Sequence, residues 1–152
     1  MKKTLVTLVA TGLYTGYSPV VAGTVGSIPP LLIAYFLIGD NQLYLSLAAL
    51  VTILISFWAA SEAECVFGHD SKKIVIDEWA GMLITLLFLP VTIKVYLIAF
   101  AAFRFFDVIK LWPAGAAERL PGGFGVTTDD IVAGIQANLA VQLYLYLMRL
   151  WG

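Results

Sequence analysis

An all-α, integral membrane helical bundle is the fold this sequence predicts, and three observations predict it. Hydrophobic residues make up 61% of the 152 and charged residues only 12%. With a mean hydropathy of +0.91, the chain falls outside the range of soluble domains. Residues 43–60 form an uncharged stretch of 18 residues, which as a helix spans roughly 27 Å, close to the hydrocarbon thickness of a bilayer. The acids, finally, stand in short blocks against long apolar runs, where a carboxylate costs roughly 2.5–3.5 kcal/mol on insertion scales and so usually serves a site. We expect a single membrane-embedded domain over residues 1–152, with about four to five membrane-embedded helices and a Gly/Pro-rich N-terminal loop that is re-entrant or interfacial.

The elements follow from breakers and caps. Residues 4–39 carry no charge, but Gly12, Gly16, Pro19, Gly23, Gly26, Pro29 and Pro30 prevent one continuous helix. The pattern predicts an apolar segment over 4–13, a Gly/Pro loop over 14–27 and a short helix over 28–38 with Ser27 as its N-cap. A second helix is expected over 43–67, with Glu62 and Glu64 at its polar end, followed by a charged loop over 68–73. A third, over 75–89, stops at Pro90, and a fourth, over 92–111, stops short of Pro113. After a glycine-rich loop over 114–127, a fifth begins at Thr128 as N-cap, which puts Asp129 and Asp130 in its positive first turn. The opening Met1-Lys2-Lys3 and apolar 4–13 have the outline of a signal peptide, but Ala22-Gly23 is a poor cleavage site and the glycine-rich segment reads as functional.

If helices two to five each cross once, every polar motif lands on one membrane face. That face holds Lys72, Lys73, Arg104, Lys110 and Arg119, and the other holds Lys94 and Arg149. The positive-inside rule makes the motif-bearing side cytoplasmic. Lys2 and Lys3 join it only if 4–13 is re-entrant or lies along the surface.

Five carboxylates in three blocks carry the chemistry: Asp77-Glu78, Asp107 and Asp129-Asp130. So many acids with few nearby bases suggest a hard divalent cation, which takes oxygen ligands. Each block also has a plainer explanation. Asp77-Glu78 and Asp129-Asp130 could simply complement helix dipoles. Arg104, Asp107 and Lys110, spaced by threes, could be an ion-pair ladder with snorkelling cations. On the functional reading Asp107 serves the metal, and Lys110 or Arg104 an anionic substrate. Glu78 shares a face with Gly81, so a neighbouring helix can approach the carboxylate. Asp130, Gly134 and Asn138 recur by fours as a polar, close-packing stripe. The loop from Gly16 to Ser27 could cradle phosphate with backbone N–H groups. His69 reads as a loop residue and Cys65 as packing.

Several chemistries are excluded. The net charge of −1 makes no electrostatic case for nucleic acid. A single cysteine rules out an internal disulfide and leaves the redox compartment open. A Cys-x5-Arg phosphatase would need arginine where Ser71 stands, a histidine-nucleophile lipid phosphatase would need a second histidine, and no Asp-x-Asp pair occurs. Metal-assisted phosphate chemistry remains.

In order along the chain, Gly16-Tyr17-Ser18-Pro19 through Ala22-Gly23-Thr24-Val25-Gly26-Ser27, then His69-Asp70, Ile74 to Gly81, Phe103 to Pro113, and Gly122 to Gly134 resemble the phosphatidylglycerophosphatase A family. The resemblance covers roughly residues 15–139. It departs at Leu111, where proline is usual, and at Ser71, where another residue often follows the aspartate; neither change removes a carboxylate. The resemblance implies an inner-membrane enzyme that removes the terminal phosphate of phosphatidylglycerophosphate with Mg2+. On that basis Glu78, Asp107, Asp129 and Asp130 are the expected catalytic acids, and with Asp77 they are the expected metal ligands. Arg104 and Lys110, with Thr24 and Ser27, are expected to bind the phosphate. The implied partners are the phospholipid and the bilayer; oligomeric state is left open. Two rivals from other classes are a small cation transporter, with the acids as its pathway, and a non-catalytic membrane scaffold.

Overall fold

The computed structural model describes residues 2–68 and 71–151. The readings of His69 and of the His69-Asp70 pair therefore lie outside the described residues. Helix α1 spans Lys2–Ala10, a 3-10 turn spans Thr15–Tyr17, α2 spans Ala22–Gly26 and α3 spans Ile28–Ile33. The last of these widens into a π-turn over Ala34–Ile38. Four longer elements and one short helix complete the chain: α4 (Gln42–Phe67), α5 (Ile76–Leu86), α6 (Ile93–Ile109), α7 (Ala114–Ala117) and α8 (Gly123–Trp151). No strand occurs among the described residues, so the all-α expectation stands.

Helix α5 is the centre. Nine of its eleven residues are buried, with α4, α6 and α8 packed around it. Small residues make this possible. A Cβ on Gly81 would sit 2.5 Å from Phe103 Cε2 and 2.7 Å from the Asp130 carbonyl oxygen, so α5 meets both α6 and α8 through a bare backbone. Polar groups on the contact are satisfied, as burial requires. Thr85 Oγ1 donates to the carbonyls of Gly81 (2.9 Å) and Gly134 (3.3 Å). Asn138 Nδ2 donates to Thr85 O at 2.9 Å and Leu87 O at 2.7 Å. Between α4 and α8, the buried hydroxyls of Ser56 and Thr127 share a 2.8 Å hydrogen bond. The stripe Asp130–Gly134–Asn138 read from the sequence is thus the α8 face turned toward α5.

Helices α4 and α8 are long and apolar enough to cross a membrane. Their outward faces expose Leu47, Leu50, Val51, Leu54 and Trp58 on α4, and Leu139, Leu143, Tyr146, Leu147 and Leu150 on α8. Exposed apolar surface on this scale marks a membrane or protein interface. Helix α1 is nine residues long, about 14 Å, which is too short to cross. It packs through Val6 and Ala10 on Ala59, Ala60 and Ala63 of α4, and the Ala10 carbonyl accepts from Val75 N at 2.9 Å.

The structure corrects several local expectations. Helix α8 begins at Gly123, five residues before Thr128. Gly123 allows this, because its missing side chain would lie 2.7 Å from the Ala60 carbonyl carbon of α4. Thr128 is therefore no cap, and Asp129 and Asp130 lie in the second turn with no acid in the first. Dipole complementation at the helix start no longer explains them, since that effect fades within one turn. Ser27 does not cap α3: its backbone is helical and its hydroxyl donates to Gly23 O at 2.7 Å. Helix α5 ends at Leu86 and not at 89. The loop over 14–27 contains α2, and the loop over 114–127 contains α7. Lys110 has left the helical stripe, closing α6 in a left-handed conformation at φ 50°.

Candidate active site

One end of the bundle gathers the polar blocks. The first turn of α5 supplies Asp77 and Glu78, the last turns of α6 supply Arg104 and Asp107, and the second turn of α8 supplies Asp129 and Asp130. They line a cleft of about 1010 Å3 that is also walled by Gly16–Pro19, Val21–Gly23, Ser71–Ile74 and Glu118.

Asp77, Glu78 and Asp130 form the core of the site. Each offers a carboxylate oxygen, and these oxygens lie within 4.8 Å of one another. Asp77 and Asp130 are each only 4% exposed. Glu78 Oε2 is buried and has no hydrogen-bond partner. An orphaned carboxylate oxygen beside two others is a costly arrangement unless a cation shares it. The donor set is all oxygen, which fits a hard divalent ion.

The flanking acids are held by bases. Arg104 Nη1 pairs with Asp107 Oδ2 at 2.7 Å and lies 3.5 Å from the Ser27 hydroxyl, to which it donates. Asp129 Oδ2 accepts from Lys110 Nζ at 2.6 Å, and the same ammonium reaches Glu118 Oε1 at 2.6 Å. Burial acts to lower the Lys110 pKa, but hydrogen bonds and charge from Asp129 and Glu118 outweigh it and raise the group above its ordinary value. Backbone N–H groups orient the paired acids: Glu78 N donates to Asp77 Oδ1 at 3.1 Å and Asp130 N to Asp129 Oδ1 at 3.0 Å.

All five expected acids, with Arg104 and Lys110, therefore meet at one cleft. The tight oxygen triad contains three of the five, while Asp107 and Asp129 are engaged by Arg104 and Lys110. Thr24 and Ser27 do not line the cleft. Ser27 is fully buried, with its hydroxyl committed to Gly23 O and Arg104. One contributor was missed from the sequence, and another was read there only as part of the Gly16–Ser27 loop. Glu118 stands in a stretch read as loop, and its only signal was being the one acid there. Gly23 matters by what it lacks: a Cβ would collide with Glu78 Oε1 and lie 3.0 Å from Arg104 Nη2.

Fold and site together define a helical protein with an acid-lined cleft at one end of an apolar bundle, where three carboxylates could hold a metal ion. The chain belongs to the phosphatidylglycerophosphatase A family, whose profile matches residues 8–145. It is 39% identical to phosphatidylglycerophosphatase A of Escherichia coli over 84% of this chain and 76% of that protein. It is 32% identical to the Haemophilus influenzae protein of the same name, over 93% and 89%. A Bacteroides thetaiotaomicron protein, provisionally named a phosphatidylinositol-3-phosphatase, is 36% identical over 90% of this chain and 91% of its own length. No solved structure matches this chain.

Proposed function

We propose that this protein hydrolyses phosphatidylglycerophosphate to phosphatidylglycerol and phosphate, using Mg2+ held by Asp77, Glu78 and Asp130. Family membership supports the reaction, and the orphaned Glu78 oxygen within an all-oxygen triad is the observation that supports the metal. Bound there, Mg2+ supplies charge neutralisation at the phosphate and lowers the barrier to displacement at phosphorus. The protein's own groups do the rest. Arg104, steadied by Asp107, offers donors to the phosphate oxygens. Lys110 does the same when the phosphate competes with Glu118 for it. An ionised carboxylate of the set, from among Glu78, Asp107, Asp129 and Asp130, takes the proton of the attacking water. The new P–O bond comes from water, the glycerol C–O–P link breaks at phosphorus, and the glycerol oxygen leaves as an alcohol, its proton balanced by the one the carboxylate took from water. Ser27, behind the cleft wall, acts through its contact with Arg104.

We read the chain as a multi-pass protein of the cytoplasmic membrane, with α4 and α8 spanning, α6 and α3 with its π-turn embedded beside them, and α5 enclosed. The excess of Lys and Arg at the site end supports a cytoplasmic cleft. Acids gathered at one end of the bundle favour catalysis over a transport route. Purified protein in detergent tests this directly. Phosphate release from phosphatidylglycerophosphate should require Mg2+, stop with EDTA and fall at least about 100-fold in Asp130→Asn. Undiminished release in EDTA, or near-normal turnover by Asp130→Asn, would sink the assignment.

A further inference from the structure

The bases that line the cleft come from different parts of the chain. Six acids and four bases line it, but the bases are not equivalent. Arg104 and Lys110 are bonded to Asp107, Asp129 and Glu118. Lys72 and Lys73 line it from the 71–73 loop, beside Gly16 and Tyr17, and among the described residues have no acid partner. Lys73 is held instead by aromatic faces. Its Nζ lies 5.2 Å from the Tyr17 ring centroid and 5.6 Å from that of Phe67. Ring faces attract an ammonium without cancelling its charge, so the cation is fixed in place and still free to meet an anion. The backbone is arranged for this too. Gly16 presses directly on the Lys73 carbonyl, where a Cβ would collide, and this closes the 71–73 loop onto the cleft wall.

The geometry points to a second anion subsite, formed by Lys73 with Lys72, that takes the internal phosphodiester of the substrate while its terminal phosphate sits at the acid cluster. This rests on the function proposed above. The substrate class it selects is a lipid headgroup with two phosphates separated by a short polyol. A lipid with a single phosphate can reach the acid cluster but leaves the lysine subsite empty. The subsite is therefore a specificity device: it adds affinity only for the headgroup that reaches both.

The test uses full-length protein in non-ionic micelles, where the substrate is the sole phospholipid. Kinetics are compared for phosphatidylglycerophosphate and phosphatidic acid with matched acyl chains. Lys73→Gln should raise KM for the first about 10-fold while kcat stays within about 2-fold, as loss of one charge-assisted contact implies. The effect on phosphatidic acid should be at least about 5-fold smaller, and Lys73→Arg should recover most of the loss. Equal losses on both lipids, no loss, or a loss in kcat alone would overturn the subsite. So would a defect seen only in vesicles rich in phosphatidylglycerol, which would give the lysines to bilayer lipid. Calorimetric binding of phosphatidylglycerophosphate in EDTA separates the two claims. Lys73-dependent binding without turnover in the wild type would sink the proposed reaction alone. Turnover with Lys73-independent binding would sink the subsite alone.

Discussion

At the residue scale, the cleft is a place where stability has been given up for chemistry. Three carboxylates with oxygens within 4.8 Å of one another repel when no cation is bound. Asp130→Asn removes one of those charges and keeps the shape. In EDTA the variant should melt about 2–4 °C above the wild type, a gain of about 1 kcal/mol. The wild type should gain further on adding Mg2+ while the variant gains little, because only the ligand-competent site is stabilised by mass action. Differential scanning in detergent reads both, and a variant that melts lower in EDTA and still responds to Mg2+ would refute the triad. Gly23→Ala separates local folding from the site in another way. Residue 23 lies inside α2, where alanine is the better helix former, so the fold should hold. The new Cβ nevertheless collides with Glu78 Oε1, and a displaced carboxylate should cost about 100-fold in kcat/KM with little change in melting. The acids themselves were legible in the sequence because charge against an apolar run is conspicuous. Their partners were not. Lys110 was read as a phosphate ligand, yet it bridges Asp129 and Glu118, because α6 ends at Ile109, two residues before the expected 111, and the chain turns left-handed at Lys110.

Among the elements, small residues set the distances. Gly81 lets α5 touch α6 and α8 at once, so Gly81→Ala should overpack the joint between Phe103 and the Asp130 carbonyl. A loss of about 1–3 kcal/mol is expected, read as a lower melting temperature. Since Asp130 is on the displaced strand of contacts, activity should fall with it. Thr127→Val keeps the volume but strands the buried Ser56 hydroxyl, and should cost about 1–3 kcal/mol without touching a carboxylate. Helix ends were legible where a proline marks them, Pro90 after α5 and Pro113 after α6, whereas both caps read from the sequence, Ser27 and Thr128, failed, and the caps that do form, Asn41 accepting from Tyr44 N and Thr92 accepting from Val95 N, were not read. The start of α8 was not legible. Gly122-Gly123 looked like loop because glycine is a poor helix former, and only the backbone of α4 beside it explains why a helix starts there. That difference moved Asp129 and Asp130 a full turn inward and removed their plainest structural explanation.

For the molecule as a whole, the sequence predicted helices each crossing once, but among the described residues only α4 and α8 are long and apolar enough to do so. Helix α5 has eleven residues, about 16 Å, roughly half a hydrocarbon core. It is wrapped by its neighbours, so its shortness leaves no backbone in lipid. A run of apolar residues looks the same whether it faces lipid or the inside of a bundle, which is why hydropathy alone could not separate α5 from α4. Orientation then depends on where the ends of α4 lie. Its first residue, Gln42, belongs to the end that carries Phe88, whose N–H donates to Gln42 Oε1 at 2.9 Å. Its last turns carry Cys65 and run toward the cleft end, where Gly123 meets Ala60 and Ser61. Cys65 is exposed and is the chain's single cysteine, so it reports sidedness without engineering. A membrane-impermeant maleimide should label it in inverted inner-membrane vesicles and leave it unlabelled in intact spheroplasts. Lys94→Cys in a Cys65→Ser background should give the opposite pattern, because Lys94 opens α6 at the far end. Labelling of Cys65 from the outside would turn the cleft away from the cytoplasm. The positive charge of Lys72, Lys73, Arg104, Lys110 and Arg119 would then stand against the membrane potential, and the proposed orientation would have to be abandoned.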